Sequence, residues 1–377
     1  MPSRFDHALE ALERRGRLRA LITRTGIDFS SNDYLGLGSS PELRAAIAAA
    51  LARGVSVGAG GSRLLRGNDP EHEVLEAEAA THFGAEAALF FGGGFVANYA
   101  LFSTLPARGD LIVYDSLIHA SALDGIRASK AEAVAAPHNN VQRFDDAIST
   151  WRAGGGMGRP WIAIESLYSM DGDPAPLADL NAVAARHDAM LMIDEAHATG
   201  VWGEGGRGLA AGLEGQANVV SLHTCGKALG VSGALVLCSN AVRDYLVNRC
   251  RPFIYATAPS PLIAAGVRAA LRLCATQPQR RERLKTMIAK VDRELEARCA
   301  IVASGSQIQP IIVGSDARAM ALASAMQAHG FDIRAVRPPT VPEGTARLRI
   351  SLTLNASEED VERMLEALAI ELKRVTA

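Results

Sequence analysis

The sequence predicts an α/β protein: a mainly parallel sheet covered by helices on both faces, followed by a smaller α+β unit. Three observations predict it. Short apolar runs recur at 88–91 (ALFF), 111–114 (LIVY), 161–165 (WIAIE), 190–194 (MLMID), 219–223 (VVSLH) and 234–238 (ALVLC), with helical stretches between most of them. Strands that are apolar almost throughout, rather than alternating, are those buried on both faces, which crossover helices on a parallel sheet produce. Beyond residue 260 the texture changes to two long helical stretches and then to short strands and helices, the pattern of a separate unit.

Taken in order, residues 5–22 place leucines and alanines among arginines at helical spacing and read as one helix lying against a larger body. SSNDYLGLG (31–39) is a turn-rich link, because Asn, Asp and two glycines favour turns. Pro41 opens an alanine-rich helix to about Arg53. Residues 54–69 are too glycine-rich for a helix, yet Val55, Val57, Leu64 and Leu65 give the segment something to bury, so it reads as an ordered loop. Asp69 and Pro70 then supply the N-cap and first position of the next helix. After the strand–helix alternation, helices are expected at 260–275, 279–299 and 316–329. Strands are expected at 308–314, near FDIRAV and at 346–352, and a last helix from Ser357, where SEED starts a capping box. This divides the chain into an N-terminal segment (1–38), a large domain (39–275) and a small α+β domain (276–377).

Bulk properties narrow the function. With 377 residues, 48% hydrophobic and 21% charged, the composition is that of an ordinary globular protein. A formal net charge of −2 offers no basic field for nucleic acid or membrane. Cys225, Cys238, Cys250, Cys274 and Cys299 form no CxxC pair, so neither a disulfide framework nor a structural zinc site is expected, and no metal is invoked. The N-terminus lacks an apolar signal core and no run reaches membrane-spanning length, so a cytoplasmic location is expected; the arginine-rich start also has something of a transit peptide.

In open parallel sheets, sites form beyond the carboxyl ends of the strands. Five strand ends in succession carry glycine or chemically capable side chains: GGGFVANYA, DSLIHAS, SLYSMDGD, EAHATG and TCGKALG. That coincidence argues for one active site. Lys227 is the single lysine of Ser221–Gly233, among small and apolar neighbours. Such surroundings favour the neutral, nucleophilic amine, which forms a Schiff base with a carbonyl compound. Taken alone, the stretch reads equally as a surface lysine in a glycine-rich loop. Gly92–Phe95 leads into a helix whose N-terminal N–H groups suit a phosphate, and matches neither the dinucleotide nor the GxxxxGK[ST] fingerprint. Asp194 ends an apolar strand and needs a cation or donors, for which a protonated pyridine nitrogen would serve; capping its own loop is the alternative. His197 follows three residues later, either reaching the same ligand or satisfied in the core. His119 is suited to stacking on a ring or moving a proton, or is structural. Ser169 and Asp171 lie in a turn that by default bonds to itself. Arg347 and Arg349 share a strand face, so one of them could pair with a carboxylate; the other reading is an exposed edge pair.

SSNDYLGL, GAGGSR, HASALDG, SMDGD, IDEAHATG and TCGKALG together resemble the motif set of the pyridoxal-phosphate-dependent α-oxoamine synthases, in order and spacing, from about Phe5 to the C-terminus. RPPTVPEGTARLR (337–349) is most similar to the branch of that family that serves biotin synthesis. The resemblance implies the fold-type-I transferase architecture of aspartate aminotransferase, with a seven-stranded, mainly parallel sheet. It implies pyridoxal 5′-phosphate, with Lys227 as its Schiff-base lysine and later acid/base. Asp194 would hold the pyridine nitrogen protonated, His197 and Ser169 would contact the phenolic-oxygen side, and His119 would stack on the ring. Gly94, Phe95 and Thr224 would hold the phosphate, joined by Thr257 across a homodimer interface. Asn32 and Arg349 would bind the amino-acid substrate's carboxylate or the developing product, and Arg19 and Thr340 match positions associated with the acyl substrate. The implied substrates are L-alanine and a pimeloyl thioester, on coenzyme A or acyl carrier protein; relatives using glycine or serine are the alternative, and a non-catalytic protein on the same fold a more distant one. The chain departs from the family at Cys225 and Leu229, where phenylalanines are usual, and at Ala198, where glycine is common. These swaps are expected to alter packing and spare the reactive groups. The stretch between Arg19 and Phe29 is shorter than in many relatives.

Overall fold

The computed structural model describes residues 3–376, which fall into two compact units. The larger comprises Asp33–Ser169 and Asp173–Glu282. Its centre is a seven-stranded sheet in the spatial order Ala87–Phe91, Ala234–Cys238, Val219–Thr224, Met190–Asp194, Pro160–Glu165, Leu111–Asp115 and Glu132–Ala136. Successive residues of one strand serve opposite cores. Ile112, Met190, Met192 and Val220 pack on one face, whereas Leu111, Val113, Leu191, Ile193 and Val219 pack on the other. This is why the strands read as continuous apolar runs: each position has a helix layer to bury against, at about 1.5–3 kcal/mol per fully buried aliphatic side chain.

Only Ala234–Cys238 runs antiparallel to its neighbours within this sheet. Its connection to Val219–Thr224 is the short loop 225–233, too few residues for the crossover of about a dozen that a parallel return requires. The chain must therefore reverse at the carboxyl edge of the sheet, and the reversing loop is the one that carries Lys227. Sequence reasoning missed the edge strand Glu132–Ala136. Its EAVAA sequence is exposed except at Ala136, so it lacks the apolar signature of a strand covered on both faces.

Local signals set the helices. Ser40 caps Pro41–Ala52. Asp69 caps Pro70–Phe83 in a reciprocal box with His72, and Gly84 ends that helix in the left-handed conformation.

The smaller unit comprises Met1–Asn32, Met170–Gly172 and Arg283–Ala377. Its antiparallel sheet has the order Ala335–Val336, Ala346–Ser351, Ile308–Gly314, with Asp316–Ala328 and Glu358–Thr376 as helices. The single strand expected at FDIRAV is divided. Phe331–Asp332 pairs with Ile27–Asp28, Ala335–Val336 pairs with Ala346–Ser351, and a bend at Ile333 lets one segment serve two sheets. The helix expected over 5–22 is also shorter. It spans Arg4–Arg14, capped by Ser3 and Asp6, and stops before Gly16, whose φ of 63° no right-handed helix contains. Arg17 then pairs with Asp316 at 2.9 Å, so the arginines that looked like a continuing polar helix face are used in ion pairs. No helix among the described residues is long and apolar enough to cross a membrane.

Candidate active site

In the larger unit, six strands bring their carboxyl ends to one edge of the sheet. A cavity of about 160 Å3 opens there, lined by residues from five strand ends, including Gly94, His119, Glu165, Asp194, His197 and Lys227.

Lys227 sits at the start of a tight turn. Gly230 donates its N–H to the Lys227 carbonyl at 2.8 Å and holds φ at 66°. A β-carbon on Gly230 would fall 2.3 Å from the Gly38 backbone nitrogen, so this position requires glycine. The turn is tied at its base by Cys225 N–H to Gly233 O and Val231 N–H to Cys225 O, both 2.9 Å. Cys225, Leu229 and Ala198 are fully buried, so the three departures from the family pattern are packing positions behind the lysine and do not line the cavity. Burial pushes the Cys225 thiol up, which leaves it an inert core side chain.

Lys227 Nζ lies 2.6 Å from His197 Nε2, and His197 Nδ1 lies 2.7 Å from the Tyr34 hydroxyl. This file of lysine, imidazole and phenol fixes the ring orientation of His197 and gives the lysine a polar partner. Asp194 faces the cavity from the next strand. Its Oδ1 accepts the Ala196 N–H at 2.9 Å and its Oδ2 accepts the Asn98 amide at 2.6 Å. The same amide donates to Ser121 Oγ at 3.0 Å, and Ser121 Oγ lies 2.7 Å from His119 Nδ1. The directions agree: Asn98 donates, Ser121 relays, and His119 accepts on Nδ1, as it also does from the Ser121 N–H. Burial lowers the His119 pKa against an opposing pull from Asp194, so the ring is neutral and flat-faced beside the cavity.

Gly94 begins the helix Gly94–Thr104, whose first turn receives no side-chain cap. Its free N–H groups and the helix dipole favour an anion there. Thr224 closes the cradle, since a β-carbon on Gly94 would meet its Oγ1 at 3.4 Å. Ser169 is buried and donates its N–H to Glu165 Oε2 at 3.1 Å; it meets this wall residue without itself lining the cavity.

The loop bearing Ser169 is fastened by His138. Its Nδ1 is 2.9 Å from Asp115 and its Nε2 is 2.8 Å from Asp173. Burial works against the charged ring, but bonds to the two carboxylates outweigh it and raise the His138 pKa to about 10. In the unfolded chain the ring titrates near ~6.5. The clamp therefore contributes fully below that pH, loses strength as pH rises, and is gone above pH 10. His138→Gln is expected to lower stability by about 1–2 kcal/mol at pH 6 and to converge with the parent above pH 10. Melting temperature followed against pH for both proteins checks this.

The remaining expected site residues are not among those that line this cavity. Thr257 belongs to the larger unit, is exposed and does not line the cavity. In the smaller unit, Arg349 is buried and donates to Asn32 Oδ1 at 3.0 Å and to Ser351 Oγ at 2.7 Å. Its strand neighbour Arg347 is held by Asp171 at 2.5 Å. The two arginines thus have different partners: Arg347 pairs with a carboxylate, and Arg349 donates to Asn32 and Ser351. Exposed Arg19 reaches Thr340 Oγ1 at 3.3 Å, so the two residues expected at the acyl substrate meet each other.

Sequence reasoning missed Tyr34, Asn98, Ser121 and Glu165. Asn98 had a usable signal, one helical turn beyond Gly94 and on the same face. Tyr34 is part of SSNDYLGL but joins His197 only through a contact distant in sequence.

A half-buried lysine, a carboxylate at the next strand end and an uncapped helix N-terminus around one cavity define a class, the pyridoxal-phosphate-dependent transferases of this sheet. Residues 24–368 match the family model "Aminotransferase class I and II". Within that class the chain belongs to the 8-amino-7-oxononanoate synthase family. It is 41% identical over 376 residues to the 8-amino-7-oxononanoate synthase of Anaeromyxobacter dehalogenans (strain 2CP-1), covering 96% of this chain and 93% of the relative. It is 41% identical over 373 residues to that of Chromobacterium violaceum, covering 95% and 96%. The serine palmitoyltransferase of Sphingomonas wittichii superposes with a TM-score of 0.87 at 31% identity, covering 93% of this chain and 88% of that one. The chain is a pyridoxal-phosphate-dependent acyltransferase of the α-oxoamine synthase type, with a role in biotin synthesis.

Proposed function

We propose that the enzyme condenses L-alanine with a pimeloyl thioester, on coenzyme A or acyl carrier protein, releasing carbon dioxide and the thiol and giving 8-amino-7-oxononanoate. The observation that carries this reading is the convergence of Lys227, His197, Asp194, His119 and the Gly94 helix start on one cavity. These residues fit pyridoxal 5′-phosphate. Asp194 would hold the pyridine nitrogen, the N–H groups of Gly94 and Phe95 with Thr224 would hold the phosphate, and neutral His119 would lie against the ring face. His197 and Ser169 would serve the phenolic-oxygen side, and Thr257 would complete the phosphate site of a partner in a homodimer. When bound, the cofactor supplies an electron sink for the pair left at the amino acid α-carbon.

The chain's own groups supply the rest. Lys227 would hold the cofactor and, with its amine free once alanine is bound, would remove the α-proton as a base. His197, oriented by Tyr34, keeps the amine positioned for that transfer. The α-carbon attacks the thioester carbonyl; the new carbon–carbon bond forms as the carbon–sulfur bond breaks. The alanine carboxylate leaves as carbon dioxide, and Lys227 returns a proton to the α-carbon. We assign recognition of that carboxylate to Arg349 with Asn32, and contact with the acyl substrate to Arg19 and Thr340. The action takes place in the cytoplasm.

A second reading, favoured by the likeness to serine palmitoyltransferase, pairs serine with a longer acyl thioester. A steady-state panel of alanine, glycine and serine against acetyl, pimeloyl and palmitoyl thioesters separates the two. Alanine with a pimeloyl thioester is expected to exceed every other pair in kcat/KM by about 10²-fold, the scale set by one missing methyl or one added hydroxyl group. A faster rate with serine or glycine, or with acetyl or palmitoyl thioester, overturns the substrate assignment.

A further inference from the structure

The cavity wall contains a second carboxyl group that the reaction as described does not use. Glu165 and Asp194 are register partners on adjacent parallel strands, and both end their strands. Paired positions on parallel strands emerge on the same face, with the strands about 4.8 Å apart. Two carboxyl groups therefore stand side by side in the floor of the cavity, 2% and 8% exposed. Their surroundings differ. Asp194 has a donor on each oxygen, from Ala196 and Asn98. Glu165 has one, the Ser169 N–H on Oε2, and its buried Oε1 has no hydrogen-bond partner among the described residues.

We infer that Glu165 works as a neutral carboxylic acid, a positioning residue that holds Ser169 through Oε2 and offers its O–H to an acceptor of the ligand bound in this cavity. A buried carboxylate with one donor costs several kcal/mol, and two adjacent carboxylates in a dry site do not both ionise. Every charged group facing Glu165 fits this division. Burial, then Asp194 on the neighbouring strand, push its carboxyl well above the ordinary range. Lys227 pulls the other way without reversing the result, and Asp115 adds to the upward push. Tyr168, pushed up by burial and by Asp115, stays a neutral phenol beside it. His119 and His197 share the cavity, the former with its pKa lowered by burial. One negative charge in the floor matches one pyridinium; a second would leave an uncompensated buried charge. The inference rests on the reading that this cavity takes the pyridoxal ring.

The test uses the holoenzyme with Glu165→Gln and Glu165→Ala. Infrared difference spectra at neutral pH are expected to contain a protonated-carboxyl carbonyl band that Glu165→Gln removes. Glutamine keeps a donor in the same shape, so cofactor dissociation constant and the pH midpoint of the cofactor's visible band are expected to stay within about threefold and to stay in place, while alanine weakens cofactor binding about tenfold. A missing carboxyl band overturns the inference. So does a Glu165→Gln midpoint displaced by about one pH unit or more, the mark of a lost negative charge. Should glutamine prove as damaging as alanine, the donor role is overturned as well. The infrared band reads Glu165 with or without cofactor, so a parent protein that takes up no pyridoxal phosphate refutes the functional reading separately.

Discussion

Lys227→Ala is expected to give a folded protein whose condensation rate is lower by about 10³-fold or more. Two functions are removed together: the covalent attachment point and the group that carries the α-proton, the latter alone contributing about 10²–10⁴-fold. The fold is expected to survive. Lys227 is half-buried, the turn geometry comes from the Gly230 N–H to Lys227 carbonyl bond, and that bond involves only backbone. The hydrogen bond to His197 goes with the side chain, at a cost of about 1 kcal/mol. Single-turnover rates with alanine and pimeloyl thioester, beside a melting curve, check both halves. A variant that keeps more than a tenth of the parent rate would remove Lys227 from the chemistry.

Asp194→Asn is the second large effect. Asparagine keeps the size of the side chain and can still accept the Ala196 N–H, but it cannot carry the charge that stabilises a protonated ring nitrogen. Its amide also faces the donating Asn98 amide, so a hydrogen bond now made at 2.6 Å is lost or reversed. The rate is expected to fall by about 10²–10³-fold, the scale of removing one preorganised electrostatic partner, with cofactor affinity falling in parallel. Rates at saturating cofactor separate the two contributions. A rate loss that saturating cofactor fully restores would reduce Asp194 to a binding residue.

Legibility in the sequence followed burial and distance along the chain. The six apolar runs were readable because each strand is covered on both faces; the exposed edge strand Glu132–Ala136 was not. Strand ends revealed Lys227, Asp194, His197, His119 and the glycine-led helix, since each is a reactive residue directly after an apolar run. Asn98 and Ser121 are ordinary helix residues in sequence and gain their place only when Gly94–Thr104 packs over Asp194. Glu165 looked like the last residue of a strand; that it shares a floor with another carboxylate is a property of strand order, which local pattern does not encode. The arginine spacing of 5–22 suggested one helix because helical periodicity cannot distinguish a solvated helix face from side chains reserved for ion pairs such as Arg17–Asp316. Likewise Arg347 and Arg349 were equivalent by period two, and only the partner Asp171 tells them apart.

The central claim is that Lys227 is the point of covalent cofactor attachment in a cavity built by five strand ends. Borohydride reduction of the pyridoxal-phosphate-loaded protein, followed by peptide mass mapping, tests it directly. The expected result is a stable pyridoxyl addition on the peptide containing Lys227, with no such addition in the Lys227→Ala variant treated in the same way as control. Addition at Lys130, Lys285, Lys290 or Lys373, or no addition at all, would contradict it.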